Sequence, residues 1–255
     1  MNGIITVHIE YPVLTLLVTL MFASIHLLGP QMDFLRSAPR RVWLSAAGGI
    51  SIAYVFVHIL PELAHHQKNF DQGGPFGLLN GSGRHVYFMA LLGLTCFYGL
   101  ELAVRSSARR HTRLDGGRRI STPIFWLQLG SYAGFNLIIG YLLVDREETG
   151  LINLATYAIA MAMHFIVTDQ GLREQSHPDY DMFGRWVLAA AVVGGFVLGL
   201  SVTLPPVAIS GLFAFLAGGI ILNVLKHEVP ENRQSNFVAF VLGAGLYAAV
   251  LLGTH

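Results

Sequence analysis

Long apolar stretches alternate with short polar stretches along the whole 255-residue chain. A membrane-spanning α-helix needs roughly 20 consecutive apolar residues, because it rises about 1.5 Å per residue across a hydrocarbon core about 30 Å thick. The breaks between the apolar stretches are rich in charged residues, glycine and proline, which are typical of turns. The pattern predicts eight membrane-spanning helices, at about 11–29, 42–64, 85–105, 123–144, 151–171, 186–204, 207–227 and 236–252.

The composition also favours a membrane protein. Hydrophobic residues make up 53% of the chain and charged residues 12%, whereas about 25% of the residues in a soluble domain are charged. Glycines such as Gly194, Gly195 and Gly199 lie inside apolar stretches, where small residues let membrane helices approach closely. The formal net charge of +1 gives no reason to expect a nucleic-acid partner. We therefore expect an all-α membrane protein in which residues 1–255 form one transmembrane domain.

The distribution of lysine and arginine predicts the orientation of the chain. Odd-numbered loops carry thirteen of the 16 positive residues, and even-numbered loops carry three. Because positive residues favour the cytoplasmic side, the odd loops are predicted to be cytoplasmic and both termini to lie outside. Residues 1–10 have no basic segment, so no cleavable signal peptide is expected. We expect the protein in the bacterial inner (plasma) membrane.

The pattern His-x-x-Pro-Glu occurs twice, as HILPE at 58–62 and as HEVPE at 227–231. In each copy the histidine and the glutamate are four residues apart, so they share one face if the helix continues. The proline removes a backbone donor and frees a carbonyl group in the preceding turn. Imidazole, carboxylate and carbonyl groups are ligands for a divalent cation such as zinc. The two motifs predict metal ligands at His58, Glu62, His227, Glu228 and Glu231.

The two motifs lie at the ends of helices that run in opposite directions. By the predicted topology the second span ends outside and the seventh ends inside, so one motif lies near each membrane face. This placement predicts an inverted repeat, with helices 1–3 mirrored by helices 6–8 and helices 4 and 5 between them. The motifs would then mark the entrance and the exit of one path. The alternative is that both motifs simply meet water or lipid headgroups.

Polar residues inside the fourth and fifth spans extend this path. His164 and Asp169 belong to the fifth span, and Asn136 lies near the middle of the fourth. Ionisable residues at membrane depth usually face the bundle interior or a water-filled route, which makes all three candidate metal ligands. The alternatives are a buried His164 bonded to a neighbouring helix, a solvated Asp169, and an Asn136 that only holds helices together.

With these features the chain resembles the ZIP (Zrt/Irt-like) family of divalent-metal transporters. The resemblance covers almost the whole chain, and HILPEL at 58–63 is its most specific part. It implies a 3+2+3 arrangement of eight helices, with the transport site on helices 4 and 5. His164 and Asp169 match the pattern of the family's fifth helix. The chain departs from the family's metal motifs at Ser131, Tyr132, Phe135, Phe165 and Thr168.

The leading prediction is a carrier for divalent cations, with zinc first and iron or manganese next, that works by alternating access. The metal would be the transported substrate, and we expect no organic cofactor and no catalysed reaction. The expected partners are the metal ion, the lipid bilayer and, through glycine-rich faces, a second copy of the chain in a homodimer. Two alternatives stay open. One is an intramembrane metal-dependent hydrolase, and the other is a non-transporting ZIP-like scaffold or regulator.

Overall fold

The computed structural model describes residues 11–29, 40–73, 84–115, 121–144, 150–228 and 236–253. Within these ranges the chain is almost entirely helical and contains no β-strand. The α-helices of these ranges are α1 (Pro12–Leu28), α2 (Arg40–Tyr54), α3 (Leu60–Gly73), α4 (His85–Asp115), α5 (Thr122–Val144), α6 (Leu151–Asp179), α7 (Arg185–Ser201), α8 (Pro206–Asn223) and α9 (Phe237–Leu252).

Among the described residues, six helical stretches are long and apolar enough to cross a membrane, which makes the chain an integral membrane protein. The helices α1 and α9 are also apolar but shorter, with 17 and 16 residues. The six long stretches are Ser45–Lys68, His85–Arg110, Thr122–Val144, Leu151–Arg173, Tyr180–Ser201 and Pro206–Lys226.

In the part of the chain that the structure describes, three π-helical segments interrupt the α-helices. Val55–Ile59 joins α2 to α3, Tyr180–Gly184 joins α6 to α7, and Val224–Glu228 extends α8. In the first segment the N–H of Leu60 donates to the carbonyl of Val55, five residues earlier. This wider turn lies directly before Pro61, which lacks an N–H and crowds the preceding turn of an α-helix.

The helix that carries the first His-x-x-Pro-Glu motif does not end at the motif. It continues through Pro61 as far as Gly73, beyond the predicted end near residue 64. The π-helical segment explains this continuation, because a wider turn accommodates the proline ring without breaking the helix. Helical backbone also continues through the polar segment EQSHPDYD at 174–181, where the sequence predicts a break.

Glycines allow the most extensive helix pairs to pack backbone against backbone. Between α2 and α9, a Cβ atom at Gly49 would collide with the carbonyl oxygen of Phe240, and one at Gly243 with that of Ala46. Such close approach is typical of small residues at membrane helix interfaces. These contacts fix α2 and α9 as one pair.

Glycines also allow α4 and α8 to pack backbone against backbone. A Cβ atom at Gly93 would collide with the carbonyl oxygen of Phe215, and one at Gly218 with that of Ala90. On the other side of the bundle α5 packs on α7, and α1 packs on both α6 and α7. The buried core lies among these helices and includes Phe22, Ile59, Leu63, Ile139, Leu143, Met161, Phe165 and Val192.

Candidate functional site

A cavity of about 60 Å³ lies where α3, α5, α6 and α8 meet. A space of this size holds a few water molecules or one small, partly hydrated ion. Its apolar wall comes mainly from α8, including Ile209, Leu216 and Ile220. Its polar lining consists of Tyr54, His58, Glu62, His66, Asn153 and Tyr157.

Three of these polar residues form a ladder on one helix face. His58, Glu62 and His66 follow one another at intervals of four residues, which places them on the same side of a continuous helix. The sequence analysis singled out the first two and missed His66. The signal that identifies His66 is the repeated spacing of four, once the helix is known to continue past Pro61.

The carboxylate of Glu62 lies close to two imidazoles. Its Oε1 atom is 3.9 Å from Nε2 of His66 and 3.8 Å from Nδ1 of His65. The side chain of Glu62 keeps 13% of its surface exposed, whereas that of His66 is buried. Glu62 therefore lines the cavity with a partly exposed carboxylate beside two histidines.

Ser210 of α8 orients His66. The Nδ1 atom of His66 is 2.9 Å from Oγ of Ser210, and both residues are buried. The ring of His66 also packs on Phe213, with 4.4 Å between the ring centroids. The contact with Ser210 turns the other ring nitrogen, Nε2, toward Glu62. An anchored second nitrogen of this kind is common for histidines that bind metals.

A stripe of α6 residues leads from the cavity into the bundle. Tyr157, Met161, His164 and Thr168 are spaced by four, three and four residues, which places them on one helix face. The first two line the cavity, and His164 is buried with 4% of its surface exposed. Thr168 lies about 16 Å beyond Tyr157, at about 1.5 Å per residue. Its Oγ1 accepts a hydrogen bond of 3.5 Å from Nδ2 of Asn223, next to the third π-helical segment.

A second polar cluster lies deeper, among α1, α5 and α6. Nδ1 of His26 is 2.8 Å and 3.0 Å from the two carboxylate oxygens of Asp169. Nε2 of the same ring is 2.8 Å from Oδ1 of Asn136. All three side chains are buried. We call these three residues the His26 network.

The amide of Asn136 completes the His26 network. Nδ2 of Asn136 donates to the carbonyl of Tyr132 at 2.8 Å, so the amide presents its oxygen to the ring. Both ring nitrogens of His26 therefore lie at hydrogen-bond distance from oxygen atoms. The result is a buried network that joins three helices. The sequence analysis did not include His26, which looks like an isolated histidine near the end of an apolar helix.

The structure distributes the predicted metal ligands over several places. His58 and Glu62 line the cavity, His164 belongs to the α6 stripe, and Asn136 and Asp169 are joined through His26. Within the described ranges, no three His, Cys, Asp or Glu side chains are close enough together to hold one metal ion. The predicted ligands His227 and Glu228 belong to the third π-helical segment, and Glu231 lies outside the described residues.

The cavity is lined by side chains of the types that can bind a cation. It offers one carboxylate and two imidazoles along a single helix face, and an amide and two tyrosines around them. Comparison with protein-family models and with curated proteins finds no match to this chain. The functional interpretation therefore depends on the geometry of these side chains.

Proposed function

We propose that the protein is a membrane carrier for divalent cations, with zinc as the first candidate and iron or manganese next. The observation that carries this proposal is the ladder of His58, Glu62 and His66 inside a cavity of about 60 Å³ between membrane helices. Ionisable side chains at such a position are costly, and they usually mark a route for an ion or another polar substrate. The resemblance to ZIP transporters noted above agrees with this assignment.

The route would continue from the ladder along the α6 stripe. His164 is the next possible ligand after the cavity, and Thr168 with Asn223 leads on to His227, Glu228 and Glu231 of the second motif. The described ligands are spread out rather than gathered around one position. Successive weak sites suit transport, because each site must also release the ion.

We also propose the 3+2+3 arrangement, with predicted spans 1–3 and 6–8 as an inverted repeat. The second span comprises α2 and α3, and the seventh span is α8. The two motif helices support this arrangement, because both have a π-helical segment that ends two residues before the motif proline. They also share a glycine nine residues before the motif histidine, and both glycines pack on a neighbouring backbone. Residues 169 positions apart are identical at Gly49/Gly218, Ile52/Ile221, Val55/Val224, His58/His227, Pro61/Pro230 and Glu62/Glu231.

Alternating access is the movement that such a repeat favours. Residues of α3 and α8 and residues of α5 and α6 line the cavity, and we take these two helix pairs as the two sides of the path. Relative movement of these two sides would open the path first at one motif and then at the other. The excess of positive residues in the odd loops supports both termini outside, in a bacterial inner membrane.

Zinc uptake into proteoliposomes tests the proposal. We expect Glu62→Gln to lower the initial rate at least tenfold, because it removes the negative charge from the ladder. Glu101→Gln is the matched control. It makes the same change in α4, where Glu101 accepts a 2.6 Å hydrogen bond from Arg105 outside the cavity. A rate that falls equally in both variants, or in neither, would contradict the assigned path.

Two further measurements separate the carrier from its alternatives. Zinc anomalous scattering at the ladder and along the α6 stripe is expected for a path, whereas one fully occupied site with an open coordination position would favour a hydrolase. His164→Ala should abolish uptake and leave the protein folded. A protein with no zinc at any of these positions, and no uptake, would be a scaffold or regulator.

A further inference from the structure

Two arginines lie on either side of the second π-helical segment, Tyr180–Gly184, and their charges are balanced differently. Arg173 of α6 pairs with Asp181, whose Oδ1 atom is 3.0 Å from Nε of the arginine. Arg185 begins α7 and has no hydrogen bond or ion pair within the part of the chain that the structure describes. The guanidinium of Arg185 therefore carries a positive charge that no described side chain neutralises.

The surface around Arg185 is apolar and aromatic. Met182, Phe183 and Trp186 are exposed, and the guanidinium lies over the ring of Trp186, with 5.4 Å between its Cζ atom and the ring centroid. Trp126 of α5 extends this surface, because its ring centroid is 6.0 Å from that of Phe183. We call Trp126, Met182, Phe183 and Trp186 the aromatic patch. The only charge beside these four side chains among the described residues of α7 is that of Arg185.

The position of Arg185 along its helix places it near the lipid headgroups. It lies inside the apolar stretch Tyr180–Ser201, about 7 Å from the start of that stretch at about 1.5 Å per residue. Exposed tryptophans such as Trp126 and Trp186 are typical of the interface between membrane and water. This end of α7 follows the fifth loop, which is predicted to be cytoplasmic. The cytoplasmic leaflet carries a negative surface charge because of its anionic lipids.

We propose that Arg185 and the aromatic patch bind one anionic glycerophospholipid, with the phosphate on the guanidinium and the acyl chains along the exposed rings. A planar guanidinium can donate to two phosphate oxygens at once. Nε of Arg185 is buried, so the contact is assigned to the two terminal nitrogens, which reach the surface. Phosphatidylcholine carries an ammonium group beside its phosphate and should be attracted less. This site does not rest on the proposed transport function.

Quenching of tryptophan fluorescence by brominated lipids tests the site. The chain has three tryptophans, and Trp43→Phe leaves Trp126 and Trp186 of the aromatic patch as reporters. The full chain is reconstituted in vesicles of phosphatidylcholine and phosphatidylglycerol, with bromine on one lipid or on the other. Because the lipid mixture stays the same, the comparison measures which lipid contacts the patch. We expect phosphatidylglycerol to bind about fivefold more tightly than phosphatidylcholine, or by about 1 kcal/mol.

A charge substitution at each of two arginines separates the site from general attraction to a negative membrane. Arg185→Gln should remove the preference for phosphatidylglycerol. Arg105→Gln is the matched control, because it removes the same charge from α4, where Arg105 bonds to Glu101 at 2.6 Å. This control should keep the preference. An equal loss in both variants would overturn the assignment to Arg185.

The protein with native Arg185 keeps the proposal open to refutation if Arg185→Gln does not fold. Equal quenching by the two brominated lipids would overturn the proposal. Weak quenching by both would also overturn it, because the patch would then be covered by protein, such as a second copy of the chain. Loss of the preference on addition of inorganic phosphate would replace the lipid by a free phosphate. The measurement involves neither zinc nor transport, so its failure is distinguishable from failure of the proposed function.

Discussion

The cavity ladder and the His26 network use the same chemical groups in opposite ways. In the ladder, Glu62 Oε1 is 3.9 Å from His66 Nε2, and the carboxylate is partly exposed. In the network, Asp169 and His26 meet at 2.8 Å and are buried. A carboxylate held this tightly has little capacity left for another ligand. Of these two clusters, the ladder lines the cavity and the network does not.

The two carboxylate–imidazole distances differ because the ladder lies on one helix and the network joins three. Residues four apart on one helix have Cβ atoms about 5–6 Å apart, so their polar ends are held at a roughly fixed separation. Side chains on three different helices can converge freely on one point, as those of α1, α5 and α6 do. A ladder on one helix is therefore suited to weak, successive contacts, and a cluster between helices is suited to a tight one.

The largest difference between the two regions is expected in the stability lost when the carboxylate of each is removed in turn. We expect Asp169→Ala to lower the free energy of unfolding by about 1–3 kcal/mol, because it leaves the buried His26 ring without its carboxylate partner. Glu62→Ala makes the same change in the ladder and should cost less than about 1 kcal/mol. Denaturant titration in detergent micelles measures both losses.

A double variant sharpens this first contrast. His26→Ala/Asp169→Ala should lose less stability than the sum of the two single variants, because neither polar side chain is left buried without the other. The corresponding ladder pair, Glu62→Ala/His66→Ala, should be close to additive. Equal losses for Asp169→Ala and Glu62→Ala would remove the distinction between the two regions.

The second contrast concerns the helix that forms the cavity wall. We expect Gly218→Ala to cost about 1–3 kcal/mol, because the new methyl group would collide with the carbonyl oxygen of Ala90 and separate α8 from α4. It should also weaken zinc binding in the cavity without disturbing the His26 network, which α8 does not contribute to.

Gly130→Ala is the control for this second contrast. A Cβ atom at Gly130 has no atom within 4 Å among the described residues, so the change should leave stability within about 1 kcal/mol of wild type. Thermal unfolding and zinc titration of both variants measure the effect. Equal behaviour of Gly218→Ala and Gly130→Ala would mean that α4 and α8 do not pack this closely.

The smallest effect should come from Ser210→Ala. Loss of the hydroxyl removes the hydrogen bond that orients His66, and we expect zinc affinity to fall about tenfold, or about 1.4 kcal/mol. Ser210→Thr keeps a hydroxyl and should retain most of the affinity. Ser131→Ala is the control, because that hydroxyl donates to the Leu127 carbonyl of its own helix. Unchanged affinity in Ser210→Ala would remove the serine from the site.

Local rules predicted much of the helical structure but only part of the site. Length, apolar content and the breaks at loops placed the long membrane helices, because these properties depend on neighbouring residues alone. The spacing of His58 and Glu62 predicted a shared helix face, and both residues line the cavity. The metal role of all the predicted ligands stays a prediction.

The roles of His66 and His26 could not be predicted from local sequence patterns. The sequence analysis placed the end of the second span near residue 64, so it did not include His66, the third member of the ladder. His26 looked unremarkable in its own helix, because its partners Asn136 and Asp169 are 110 and 143 residues away along the chain. No periodicity within one helix can reveal a pair of that kind.

The sequence by itself determined a chain of apolar helices, too poor in charge for a water-soluble domain, with one ligand pattern present twice. The bilayer imposes these features on each segment separately, because every span must bury its own backbone polar groups. Only the tertiary structure decided which polar side chains meet. It placed the ladder in the wall of the cavity and bonded Asp169 to His26. Contacts of this kind depend on how distant segments pack against each other.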